Sequence, residues 1–223
     1  SAILHEDDRL LILDKPSGMA VHGGSGIAYG VVEALRIMRP RAPFLDLAHR
    51  LDRDTSGCLI LAKRRSTLRA LHSAFRDNAV DKHYLALLRG AVASGSQRVD
   101  APLRAEAGKG GERIMRVHRQ GQSARTDFTP ITSYEGWSLV RATLHTGRTH
   151  QIRAHAASID HPVAMDRRYG DGQADQALRS RGLKRLFLHA ERLAFDLPGY
   201  GRVEAKAPLP DDLQAVLGRL SER

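Results

Sequence analysis

Short apolar runs bounded by turn residues set the pattern of this chain. Leu10-Leu11-Ile12-Leu13 reads as a strand, stopped by the turn Lys15-Pro16-Ser17-Gly18. Val31, Ala34, Leu35 and Met38 keep helical spacing, and Pro40 ends that helix. Leu45-Asp46-Leu47-Ala48 reads as a short extended stretch, and Cys58-Leu59-Ile60-Leu61-Ala62 as a buried strand. Ser66 is the expected cap of a helix that shows Leu68, Leu71 and Phe75 on one face. His83 to Leu88 is a further strand, closed by Gly90. Residues 91–124 are polar and glycine-punctuated, and only Ile114 to Val117 stands out there as a strand. Residues 125–147 predict a hairpin turning at Glu135-Gly136, followed by a helix from Thr149 to Ile159. Residues 171–185 read as a loop. Phe187 to Leu197 and Arg202 to Ala207 form a last hairpin, and Leu213, Val216, Leu217 and Leu220 mark a terminal helix. Hairpins mixed with helices predict an α+β fold with a mostly antiparallel sheet, and no repeat or linker divides residues 1–223.

Charge changes this picture most. Net charge is +10, from 35 Lys+Arg against 25 Asp+Glu, which favours a polyanionic partner. Aromatic residues are only 5% of the chain, so binding would run through arginine forks rather than stacking platforms. Cys58 is the single cysteine, which excludes a disulfide within the chain and suits a packed core position. With no apolar run of membrane-spanning length, a cytoplasmic protein is expected, with no membrane partner.

Two clusters carry candidate chemistry. The first is His49-Arg50-Leu51-Asp52-Arg53-Asp54-Thr55-Ser56-Gly57, on a loop at the end of the apolar strand. A carboxylate anchored there beside arginine can act as nucleophile or base. Alone, the segment is equally a surface turn with solvated ion pairs. The second is Gly147-Arg148-Thr149-His150-Gln151-Ile152-Arg153-Ala154-His155, with Thr149 as the expected helix cap. Basic groups near a helix N-terminus oppose its dipole by roughly 0.3–1 kcal/mol each when exposed. An anion is therefore expected beside Arg148, His150 and Arg153: a carboxylate from elsewhere in the chain, with Asp52 a candidate for Arg153, or a phosphate, or both. His145, His150 and His155 are spaced by five, which does not stack two ligands on one helical face, so no metal is expected.

These residues resemble a known family. The nonamer, Leu13-Asp14-Lys15-Pro16-Ser17-Gly18, the Lys82/Tyr84 pair and Thr146 to Arg153 are similar to the signatures of the RluA-type pseudouridine synthases. Asp166, Tyr169-Gly170 and Leu188-His189-Ala190 extend the likeness over nearly the whole chain. Val21 to Gly26, Gly30 to Glu33 and Gly111 to Ile114 resemble a sub-group that modifies large-subunit (23S) ribosomal RNA. Met165 stands where the wider family usually has Gly, as in that sub-group. Members of the sub-group carry an N-terminal S4-type RNA-binding domain, so the resemblance implies the catalytic domain alone.

The resemblance implies the pseudouridine synthase fold, a mixed sheet in two lobes flanked by helices around a central active-site cleft. It implies isomerisation of uridine to pseudouridine in RNA without cofactor or metal, and with no obligatory protein partner. Asp52 becomes the catalytic aspartate, Arg153 the arginine that orients it, and Tyr84 the active-site tyrosine. Leu188 lines the pocket floor. Arg50 would fill the stack left by a flipped uridine, with His49, Arg53, Thr55, Arg148, His150 and Lys15 as further RNA or loop contacts. His49 fits a loop-ordering hydrogen bond better than a proton shuttle. The alternatives are transfer RNA as substrate, a non-catalytic RNA-binding module, or a glycosidic hydrolase using Asp52 and Asp54.

Overall fold

The computed structural model describes residues 2–21 and 30–221. In chain order the strands and helices are β1 (Ala2–Glu6), β2 (Leu10–Lys15), α1 (Val31–Met38), β3 (Asp46–Leu47), β4 (Ser56–Ala62), α2 (Arg65–Arg76), β5 (Asp81–Arg89), β6 (Gln97–Asp100), β7 (Leu103–Ala107), β8 (Arg113–Val117), β9 (Arg125–Tyr134), β10 (Trp137–Leu144), α3 (Gln151–Ser158), α4 (Gly172–Arg179), β11 (Leu188–Leu197), β12 (Gly201–Lys206) and α5 (Asp211–Gly218). Two compact units divide them: residues 1–82 with 189–208, and residues 83–188 with 209–223.

In the first unit the strand order is β1-β2-β4-β11, with β12 on β11 and β3 on β4. Every residue of β4 is buried, which explains its unbroken apolar run: a central strand covered on both faces shows no alternation. β2 runs antiparallel to β4, with Leu13 opposite Leu59, whereas β11 runs parallel to it. The sheet is therefore mixed. On one face Leu10, Ile12, Cys58, Ile60, Leu71 and Phe195 form the core, and α2 seals it with Leu68, Leu71 and Phe75, the face its spacing predicts. Each fully buried Leu, Ile or Phe there contributes about 1.5–3 kcal/mol. Burial pushes the Cys58 thiol up to about 12, in keeping with an inert packed residue. Gly57, expected in a turn, is instead a strand residue at φ 115°, and a Cβ there would lie 2.1 Å from the Ala190 carbonyl oxygen. Only glycine allows β4 and β11 to approach so closely.

In the second unit β5, β10, β9 and β6 lie in that order, and β7 and β8 form a separate two-stranded ribbon. The β9–β10 hairpin turns at Glu135-Gly136 as predicted. One core gathers Leu88, Phe128, Val140, Ile152, Val163 and Leu188; another gathers Trp137, Leu178, Phe187, Leu213 and Val216, closed by α5.

Several elements differ from expectation. β6 and β7 lie in the polar stretch 91–124, where only one strand was read, β1 lies in residues to which no element was assigned, and α4 occupies residues 172–179, read as a loop. α2 starts two residues earlier than the expected cap implies, with Arg64 rather than Ser66 at the N-cap. α3 starts two residues later than predicted, capped by His150 in the left-handed conformation (φ 53°) rather than by Thr149. His22-Gly23-Gly24-Ser25-Gly26 falls outside the described residues.

Candidate active site

The nonamer leaves β3 and enters β4, and the turn after β2 clamps it from one side. Lys15 Nζ donates to the carbonyls of Pro16 (2.8 Å), Met19 (2.8 Å) and Arg53 (2.9 Å). Ser17 Oγ donates to Asp54 O at 2.7 Å, and the Gly18 N–H to Arg53 O at 2.9 Å. The Thr55 N–H closes back on Asp52 O at 3.1 Å. Leu13 to Gly18 thus fixes the backbone that bears Asp52, giving this second motif a mechanical purpose. Asp52 itself is partly exposed, while Arg50 and Arg53 are exposed, the latter 3.8 Å from Asp54. Lys15 is 0% and Thr55 2% exposed. The structure therefore places both inside the loop rather than at a surface that could meet phosphate, because neither polar group reaches solvent.

His49 also serves the loop. Its Nε2 accepts the Ile60 N–H at 3.0 Å and its ring stacks on Phe75, centroids 4.8 Å apart. Burial, then the charge of Lys82, pushes its pKa down from 6.5 to about 3. A depressed folded pKa makes this stabilisation complete above pH 6.5 and lost as pH falls toward 3. His49→Gln keeps an acceptor for Ile60 and removes the titration. Urea unfolding should show the wild-type chain losing more stability than this variant between pH 7 and pH 4.5; equal losses contradict the assignment.

The second cluster is built on Gln151, which is 3% exposed. Its Oε1 accepts the Thr146 hydroxyl (2.7 Å) and the Arg148 N–H (3.0 Å), and its Nε2 donates to Arg125 O and Thr126 Oγ1, both at 2.9 Å. These bonds pin the start of α3 to β9. Arg153 projects from α3 and forks onto Asp166, Nε to Oδ2 at 2.8 Å and Nη2 to Oδ1 at 2.9 Å. Their side chains are 11% and 0% exposed. Asp166 also accepts the N–H groups of Arg168 and Tyr169, so it is itself fixed. The Tyr169 ring lies under the guanidinium at 5.2 Å. Its hydroxyl accepts the Met115 N–H at 2.9 Å and donates to His150 Nδ1 at 2.8 Å.

A carboxylate was expected beside Arg153 with Asp52 as the candidate; the carboxylate that its fork meets is Asp166, which the sequence reading did not name for that place. Its role and that of Tyr169 had no signal in the sequence beyond their motif positions. The three evenly spaced histidines part company: His145 pairs with Asp127, His150 with Tyr169, and His155 with Thr126 and Ala101 O. Arg148, partly exposed, donates through Nε to Ser123 O. Tyr84 packs against the apolar cluster that holds Ile152 and Leu188. Met165 has φ 62°, which accounts for the glycine usual in the family there; any other residue costs roughly 1–2 kcal/mol.

A family model described as RNA pseudouridylate synthase matches residues 9–158, spanning both clusters. The chain belongs to this family. The ribosomal large subunit pseudouridine synthase C of Pasteurella multocida (strain Pm70) is 50% identical over 222 residues, 99% of this chain and 68% of that protein. The protein of that name from Escherichia coli O157:H7 is 51% identical, over 98% of this chain and 69% of its own length. Among solved structures, human RNA pseudouridylate synthase domain containing 4 superposes with a TM-score of 0.81 at 27% identity, covering 99% of this chain and 94% of that one. Human RNA pseudouridylate synthase domain containing 1 gives 0.79 at 26% identity, over 100% and 88%. The mixed-sheet fold of this synthase family is thereby the fold of this chain, and its members' activity makes it an RNA isomerase.

Proposed function

We propose that this chain converts uridine to pseudouridine in large-subunit ribosomal RNA. Identity of about half over nearly the whole chain to pseudouridine synthases C carries the choice of substrate. In the reaction the N1–C1′ bond breaks, the uracil turns, and a C5–C1′ bond forms. The C5 hydrogen leaves to solvent and N1 gains a proton, so atoms and electrons balance without redox chemistry. The uridine must leave its stack for this, at a cost of roughly a few kcal/mol.

In our reading Asp52 is the catalytic carboxylate, acting at C1′, at C6 or on the C2′ proton, and the clamp from Lys15, Ser17 and Gly18 supports it. The roles of Tyr84 and Arg153 rest on the family likeness. Exposed Arg50 and Arg53 are suited to the RNA backbone, with Arg50 in the vacated stack. None of the described helices is long and apolar enough to cross a membrane, and the cytoplasm is where such an RNA is met. Tritium release from 5-tritiated uridine tests substrate choice. The purified chain should release tritium from large-subunit RNA transcripts at least tenfold faster than from transfer RNA. The reverse preference contradicts the ribosomal assignment.

A further inference from the structure

One exposed face of α2 carries a row of basic side chains. Arg65, Arg69, His72 and Arg76 are all exposed and follow one another at intervals of four, three and four residues. At the helical repeat these positions fall within an arc of about 60°, in a straight row roughly 16 Å long. Leu68, Leu71 and Phe75 meanwhile keep the neighbouring side of the helix packed on the sheet.

No carboxylate balances the row. α2 contains no Asp or Glu. Arg69, His72 and Arg76 make no hydrogen bond or ion pair through their side chains among the described residues, and Arg65 lies only over the Phe44 ring, at 5.0 Å. Like charges four residues apart on a helix repel, and Arg64 and Arg65 at its start oppose its dipole. Elsewhere the same chain pairs its surface arginines: Arg98 with Asp127, Arg125 with Asp100, and Arg202 with Asp196 and Glu204. The face of α2 departs from that habit, and a partner rich in negative charge would relieve it.

The row also has a direction. β4 leaves the nonamer, the chain turns at Lys63-Arg64, and α2 comes back along the sheet. Phe75, near its end, stacks on His49, the first residue of the nonamer, with centroids 4.8 Å apart. Arg76 therefore stands at the catalytic-loop end of the row and Arg65 at the other.

We infer that this face of α2 is a track for the phosphate backbone of the RNA substrate, in the stretch several nucleotides from the target uridine. Exposed guanidiniums with no carboxylate fork onto phosphate oxygens, and a straight row of them fits a strand of regularly spaced phosphates. Such contacts position the RNA and read no base. That the polyanion is RNA rests on the function proposed above; the unpaired cationic face does not.

The test is the double variant Arg69→Gln/Arg76→Gln, measured for affinity to a large-subunit RNA fragment over a range of salt. Glutamine has a helix propensity close to that of arginine, and no contact within the described residues is lost, so thermal unfolding should be unchanged. The slope of log affinity against log salt should fall by about 1.5, since each phosphate contact accounts for roughly 0.7–0.9. KM should rise about three- to tenfold with kcat within twofold, as for groups that hold RNA away from the reacting atoms. The control is Arg179→Gln/Arg181→Gln, which removes the same charge from exposed arginines that meet only backbone carbonyls. A slope change no larger than in this control overturns the track and reduces the row to general surface charge. Unchanged RNA affinity and slope overturn the RNA occupant and leave the face to an acidic protein. Affinity reads without turnover: a fall in slope in a chain that forms no pseudouridine keeps the track and removes the proposed reaction, and an active chain with no such fall does the reverse.

Discussion

Asp52→Asn is expected to leave a folded protein that still binds RNA and forms no measurable pseudouridine. Asp52 sits partly exposed on a loop held by backbone carbonyls and by Lys15, Ser17 and Gly18, none of which needs its carboxylate. Stability should therefore change by no more than about 1 kcal/mol, the usual range for a substitution outside the core. The amide is nearly isosteric but carries no charge. It cannot serve as nucleophile or as base, whichever atom of the nucleotide is attacked. Loss of such a group lowers kcat by about a thousandfold or more. Tritium release under single turnover, with RNA binding measured in parallel, reads both parts. A variant that retains a tenth of wild-type kcat would remove Asp52 from the chemistry.

Asp166→Asn should have the second largest effect. The wild-type carboxylate takes both arms of the Arg153 fork and two backbone N–H groups while wholly buried. Asparagine keeps one acceptor oxygen and turns a donor toward Arg153. The guanidinium is then a buried cation with its bidentate partner gone, a change that costs about 3–5 kcal/mol where one member of a buried pair is removed. Arg153 would also lose its orientation over Tyr169. A displacement of about 1 Å in such a group can cost roughly a hundredfold in rate. Asp166 is thus a positioning residue, and kcat should fall far more than KM rises. A variant whose loss of activity is explained entirely by its unfolded fraction, with normal kcat for the folded remainder, would reduce Asp166 to a structural role.

The sequence marked both candidate clusters and left parts of the fold illegible, for physical reasons that particular residues show. β2 and β4 were plain because central strands are apolar on both faces. β1, β6 and β7 were missed because they show little buried surface: Ile3 is 52% exposed, and β6 buries only Val99. α4 escaped because Leu178 is its only buried apolar residue and its stability comes from the Asp171 cap, which accepts from Gln173 and Ala174. Within the site, the nonamer and the Arg153 cluster stood out through charge density. The buried places of Lys15 and Thr55, and the pairing of Arg153 with Asp166, depend on contacts distant in sequence, which no local pattern encodes.

Mapping pseudouridines in large-subunit ribosomal RNA from cells that lack this protein tests the central claim most directly. Particular pseudouridines should revert to uridine, return on expression of the wild-type chain, and stay absent on expression of Asp52→Asn. An unchanged pseudouridine map, or restoration by the Asp52→Asn variant, would contradict the account.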